Sequence, residues 1–129
     1  MIAEAKGFEE LRGFAAVALD DTQALRFGKL AAKARRDILR MTTLAGSGHT
    51  GGALSSIDIY LMLWLCGQVA PERLDDAERD RIVVSHGHTA AAVYAALGNL
   101  GYFDIDEAVH AYRSVAGLLE GHPGVKVPG

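Results

Sequence analysis

Hydrophobic positions along the chain fall into helical runs and one short strand-like run. Over residues 22–44, Leu30, Ala34, Ile38, Met41 and Leu44 recur every three or four residues, which predicts one long amphipathic helix. Arg26, Lys29, Lys33, Arg36 and Arg40 recur on another face. A solvated face is the plain reading of that row, and a surface for an acidic partner or a phosphate is the sharper one. Gly46 is expected to stop the helix. The next run, from Ile57 to Cys66, is apolar nearly all round. It predicts a helix buried on several sides, with Ser55 and Ser56 as its expected caps. After the polar loop "APERLDDAERD", the short β-branched run "RIVVS" at 81–85 reads as a buried parallel strand. An alanine-rich helix is expected over about 89–99, and a further helix from Asp104, with Glu107 as capping-box partner. Residues 1–21 read as a short helical lead-in, and 22–129 as one domain ending in the glycine- and proline-punctuated "LLEGHPGVKVPG".

A strand, a turn and a helix in succession imply an α/β layer fold, here mostly helical with few parallel strands. A single parallel strand leaves backbone donors and acceptors unpaired on both edges, which a buried strand does not tolerate. The sheet is therefore expected to be completed by another chain, and these residues to be the front part of a larger fold.

Composition narrows the function classes. Of 129 residues, 50% are apolar and 22% charged, with a net charge of -3. That balance gives no reason to expect nucleic acid as a partner. The longest strongly apolar run, "IDIYLMLWLCG", is too short to span a bilayer and contains Asp58. No targeting segment stands out, so a cytoplasmic protein is expected. The single cysteine, Cys66, cannot make an internal disulfide, and a buried structural thiol in a reducing compartment is the expectation.

Candidate chemistry lies in glycine-flanked histidines. "GSGHTGG" at 46–52 parses as G-x-G-x-x-G, but it follows a long helix rather than a strand and lacks an acidic residue at the end of a second strand, so the dinucleotide reading fails. His49, His86, His88, His110 and His122 could suggest zinc. There is no cysteine pair and no H-E-x-x-H, so no protein-held metal is expected. The better reading is a phosphate-bearing cofactor. "SHGH" stands at the carboxyl end of the expected strand and opens a helix, where anions bind. "SGHTGG", "SHGH" and "EGHPG" each set a histidine among or beside glycines, so that backbone can approach a ligand while imidazole handles protons near neutral pH. His110, within a helix, is expected to be structural.

In order and spacing, "SGHTGGALSSIDIYLMLW", "ERDRIVVSHGH", "LGYF" and "EGHPG" resemble the start of the transketolase family, most closely the amino-terminal subunits of split, two-gene transketolases. The resemblance covers about residues 25–129. It implies thiamin diphosphate and Mg2+ as cofactors, and transfer of a two-carbon ketol unit between sugar phosphates. The cofactor serves there as an electron sink. His49 then matches the histidine beside the reacting carbonyl. His88 matches the one that bonds the cofactor diphosphate, and His122 the one that contacts the donor hydroxyl near the cofactor. His49 and His122 are thus the expected catalytic residues, and all three are expected to touch the cofactor. His86 stands where the family varies, often with lysine or asparagine, and receives no role. Thr50 replaces a proline common in one-chain members. No Gly-Asp dipeptide occurs, so the family's G-D-G metal segment is missing from these residues. Metal ligands and the pyrimidine-binding domain are therefore expected on complementary chains, giving a hetero-oligomer. The alternatives are a non-catalytic scaffold or regulatory fragment of the same fold, or part of another thiamin diphosphate enzyme that forms acyloins.

Overall fold

The computed structural model describes residues 7–115 and 117–129. Four α-helices carry the architecture: α1 (Asp21–Leu44), α2 (Thr50–Cys66), α3 (Ala90–Asn99) and α4 (Ile105–Ala111). The first six residues of the expected lead-in lie outside the described residues. Its remainder includes a 3-10 segment, Glu9–Phe14, kinked at Arg12 and Gly13. Phe8, just before this segment, and Leu11 within it are buried in the core. Arg12 donates to the carbonyl oxygens of Trp64 at 3.3 Å, Gly67 at 3.1 Å and Val69. One guanidinium thus serves carbonyls that the end of α2 leaves without helical partners.

α1 follows the apolar stripe except at its last position, Leu44, which is 60% exposed. Its buried positions include Leu30, Ala34, Ile38 and Met41. Asp20 closes a reciprocal capping box with Gln23, the Asp20 carboxylate accepting from the Gln23 N–H at 2.8 Å and the Gln23 side chain accepting from the Asp20 N–H at 3.0 Å. Asp20→Ala is expected to cost about 1 kcal/mol, checked by urea unfolding. The basic row on α1 is only partly a solvated face. Lys33 donates to Asn99 Oδ1, and Arg40 pairs with Asp37 at 2.9 Å and Asp106 at 2.8 Å.

α3 is the centre of the molecule. Every residue from Ala90 to Asn99 is buried, and the helix packs against α1, α2 and α4. Its alanines have too little side chain to hold neighbours apart, so three helices approach it closely. Asn99, at its last turn, is 1% exposed. It donates to Asp37 Oδ2 at 3.0 Å and to the Ala95 carbonyl at 2.8 Å. Asp37 and Asn99 therefore satisfy each other inside the core, and Arg40 carries the network out to α4. The last helix, α4, begins as expected at Asp104, whose carboxylate accepts from the Glu107 N–H at 2.9 Å.

Two expectations need correction. Ser55 and Ser56 do not cap α2, which starts at Thr50 with His49 as the residue before it. The Ser55 hydroxyl instead donates to the Gly52 carbonyl at 3.0 Å, inside the helix. The segment 81–85 is not a strand: among the described residues no β-ladder forms and no backbone hydrogen bond joins it to another segment. It does keep the alternation of a strand, with Ile82 and Val84 packed on the core and Val83 84% exposed. A run of β-branched residues becomes a strand only when a second edge supplies its hydrogen bonds, and no such edge lies among the described residues.

Cys66 is buried, and burial pushes its thiol upward against a smaller opposing pull from Arg12, so it is held in the unreactive protonated form. Among the described residues no helix is long and apolar enough to cross a membrane.

Candidate functional site

Three chain reversals bring the glycine-flanked histidines to one surface. After α1, Gly46 and Gly48 adopt positive φ angles of 58° and 133°. A Cβ on Gly48 would lie 2.9 Å from Thr42 Cγ2 and 3.1 Å from the Tyr112 hydroxyl oxygen. Only glycine lets this loop press against α1 and the end of α4, and the loop then delivers His49 at the amino end of α2. Gly48→Ala is expected to cost about 1–3 kcal/mol and to shift His49, checked by thermal unfolding together with the His49 ring resonances.

The second reversal follows the extended segment 81–85. His86 precedes a 3-10 turn, Gly87–Thr89, that runs directly into α3. The third is the "EGHPG" loop, tied down on both sides. The Arg113 N–H donates to the Leu119 carbonyl at 2.8 Å, and the Tyr94 hydroxyl donates to the Glu120 carbonyl at 3.0 Å. His122 then lies directly against Gly87, where a Cβ would come within 2.3 Å of its ring carbon Cδ2. Glycine at 87 is what admits this imidazole.

The rings form a chain of contacts. His49 and His88 have centroids 5.6 Å apart in an edge-to-face arrangement. His88 and His86 are 5.5 Å apart, and His86 stacks on Tyr60 at 6.3 Å. His88 also lies against Gly52 in the first turn of α2. All four imidazoles are exposed. Among the described residues none of them pairs with or hydrogen-bonds to a carboxylate. α2 has no side-chain cap at its amino end and the position beside Gly51 is open, whereas the first N–H of α3, on Ala90, already donates to the Gly87 carbonyl. Exposed imidazoles that pair with no carboxylate among the described residues, beside the uncapped amino end of α2, form a donor set that fits a diphosphate anion. The same set does not fit a metal ion: among the described residues no group of three or more His, Cys, Asp or Glu is arranged to hold one.

The structure thus brings together His49, His88 and His122, with His86 between His88 and Tyr60. His110 sits exposed on α4 and makes none of these ring contacts. Tyr60 and Thr89 are invisible as site residues in the sequence. Tyr60 lies within an unbroken apolar run and reads as core, and it is indeed buried, but its hydroxyl reaches Thr89 Oγ1 at 2.6 Å and His86 Nε2 at 3.3 Å.

Residues 29–129 match the family described as transketolase, thiamine diphosphate binding domain. Among curated relatives, an apulose-4-phosphate transketolase subunit of Phocaeicola vulgatus is 32% identical over 98 residues, covering 75% of this chain and 34% of the relative. Transketolase 1 of Saccharomyces cerevisiae is 34% identical over 110 residues, covering 84% of this chain and 16% of that protein. The 6-deoxy-6-sulfo-D-fructose transketolase subunit SqwG of a Clostridium species is 38% identical over 76 residues, covering 54% of this chain and 28% of the relative. The chain therefore spans about a third or less of the length of the subunit-type relatives and about a sixth of the yeast protein. With the family match reaching from α1 to the last residue and enclosing every histidine of the cluster, the chain belongs to the transketolase family and carries part of its thiamine diphosphate binding domain.

Proposed function

We propose that this chain supplies the imidazole side of the active site in a transketolase-type enzyme, which moves a two-carbon ketol unit between sugar phosphates. The observation that carries the reading is the convergence of His49, His88 and His122 from three separate loops onto one exposed surface, where none of them pairs with a carboxylate among the described residues. When bound, thiamin diphosphate supplies an electron sink for the ketol fragment. His88, beside the first turn of α2, would hold its diphosphate by donating a ring N–H. His49 and His122 would hold and move protons at the substrate's oxygens. Mg2+ would be ligated by residues outside the described set, since these residues offer no metal-binding group.

A complementary polypeptide supplies the remaining strands, the metal ligands and the pyrimidine-binding region. Support comes from the extended segment 81–84, whose backbone groups have no ladder partner among the described residues, and from the groove of about 640 Å³ beside it, lined by Trp64, Ile82, Val84, Val93 and Leu97. The subunit designations of two relatives point the same way. A hetero-oligomer in a reducing, cytoplasmic compartment accommodates the free buried Cys66.

Co-expression with the products of neighbouring genes, followed by assay of ketol transfer between sugar phosphates, tests the reading. Transfer that requires both chains and added thiamin diphosphate is the expected result. A stable complex that retains no cofactor and transfers nothing would establish the scaffold alternative instead. Ketoacid decarboxylation or acyloin formation without ketol transfer would move the chain to a related reaction class.

A further inference from the structure

The hydrogen bonds around His86 determine which of its ring nitrogens carries the proton. Thr89 Oγ1 lies 3.0 Å from the His86 carbonyl oxygen, which can only accept, and we assign the single Thr89 hydrogen to that bond. Toward Tyr60, 2.6 Å away, Thr89 can then only accept, so the Tyr60 hydroxyl is the donor. Having given its hydrogen to Thr89, the Tyr60 oxygen can only accept from His86 Nε2 at 3.3 Å. With that assignment Nε2 bears a hydrogen. The relay is anchored in the core, with Tyr60 4% and Thr89 1% exposed, while the His86 ring itself is exposed. Buried hydroxyls with every hydrogen committed do not reorient freely. His86 is thus presented in one tautomer, with Nδ1 as the nitrogen left for a ligand.

From this we infer that His86 is a further anion-binding residue, and that Tyr60 and Thr89 are the positioning residues that set it. The inference rests on the phosphate-cofactor reading above. The groups facing His86 are Tyr60 from α2, His88 from its own turn and, beyond these, His49 and His122. None of the carboxylate pairs among the described residues involves these rings. Neutral His86 turns a lone pair on Nδ1 to the ligand. After taking up a proton from solvent it offers Nδ1–H to a phosphate oxygen while keeping Nε2–H on Tyr60. A phosphate oxygen at Nδ1 stabilises the charged ring that donates to it. The ligand is a phosphate or diphosphate group, from the cofactor or from a sugar phosphate.

Histidine 15N spectra of the full chain, alone and with its complementary polypeptide, test this. Free His86 is expected as the Nε2–H tautomer, and inorganic pyrophosphate should move both His86 and His88 toward the imidazolium pattern at constant pH. His86→Gln should weaken pyrophosphate binding about tenfold. Tyr60→Phe should release the tautomer preference and weaken binding by a smaller factor while His88 still responds. Competition by thiamin diphosphate at His86 identifies the cofactor as the source of the anion; competition by ribose 5-phosphate in the presence of bound thiamin diphosphate identifies the substrate. Movement of His88 with an unchanged His86 would overturn this inference and leave the functional reading standing. Silence of both rings in the complete complex would overturn the two together.

Discussion

His49→Ala and His122→Ala should each lower the turnover of the reconstituted ketol-transfer activity proposed above by about 10²–10⁴-fold, the range for removing a group that transfers a proton in the transition state. His110→Ala should leave turnover within about twofold, because an exposed surface substitution away from a site changes little. His110 serves as the control because it has the same side chain, is exposed like the others, and stands outside the ring contacts. The measurement is steady-state ketol transfer, with cofactor retention recorded for each variant. His49→Ala and His122→Ala should act mainly on turnover, whereas His88→Ala should act mainly on cofactor retention. Equal effects of His122→Ala and His110→Ala would remove the basis for assigning roles by convergence.

The largest expected effect on stability lies far from the histidines. Asn99→Leu should cost about 2–3 kcal/mol, because it deprives the buried Asp37 carboxylate of a donor and Lys33 of its acceptor. Asp37 is 3% exposed, so water cannot replace the lost bond. Urea unfolding should show a lower midpoint at an unchanged slope. Arg36→Ala, on the exposed side of the same helix, should stay within about 0.5 kcal/mol. A neutral Asn99→Leu would mean that the polar network linking α1, α3 and α4 does not hold them in register.

What the chain reveals before its structure is known follows from physics specific to each element. α1 is legible because one face is buried and the rest is not, so burial leaves a 3.6-residue trace in the sequence. α4 is legible from its carboxylate cap. The start of α2 is not, because His49 leads into it without a side-chain cap and two glycines fill its first turn. The run 81–85 carries the composition of a strand, and Ile82, Val83 and Val84 carry its alternation, yet pairing is a property of two segments and cannot be read from one. The histidine cluster is accessible through the glycines around it, since those glycines are what let the loops fold back: a Cβ at 87 would occupy the place of the His122 ring. The Tyr60–Thr89–His86 relay is hidden, because a tyrosine in an apolar helix gives no sign of where its hydroxyl ends.

In the proposed function, rings from three loops share one ligand. A crystal structure of the chain with its complementary polypeptide and thiamin diphosphate measures this directly. It should place a His88 ring nitrogen about 3 Å from a diphosphate oxygen, with His49 and His122 lining the same cofactor. A cofactor bound away from this surface, with the imidazoles touching only one another, would contradict it.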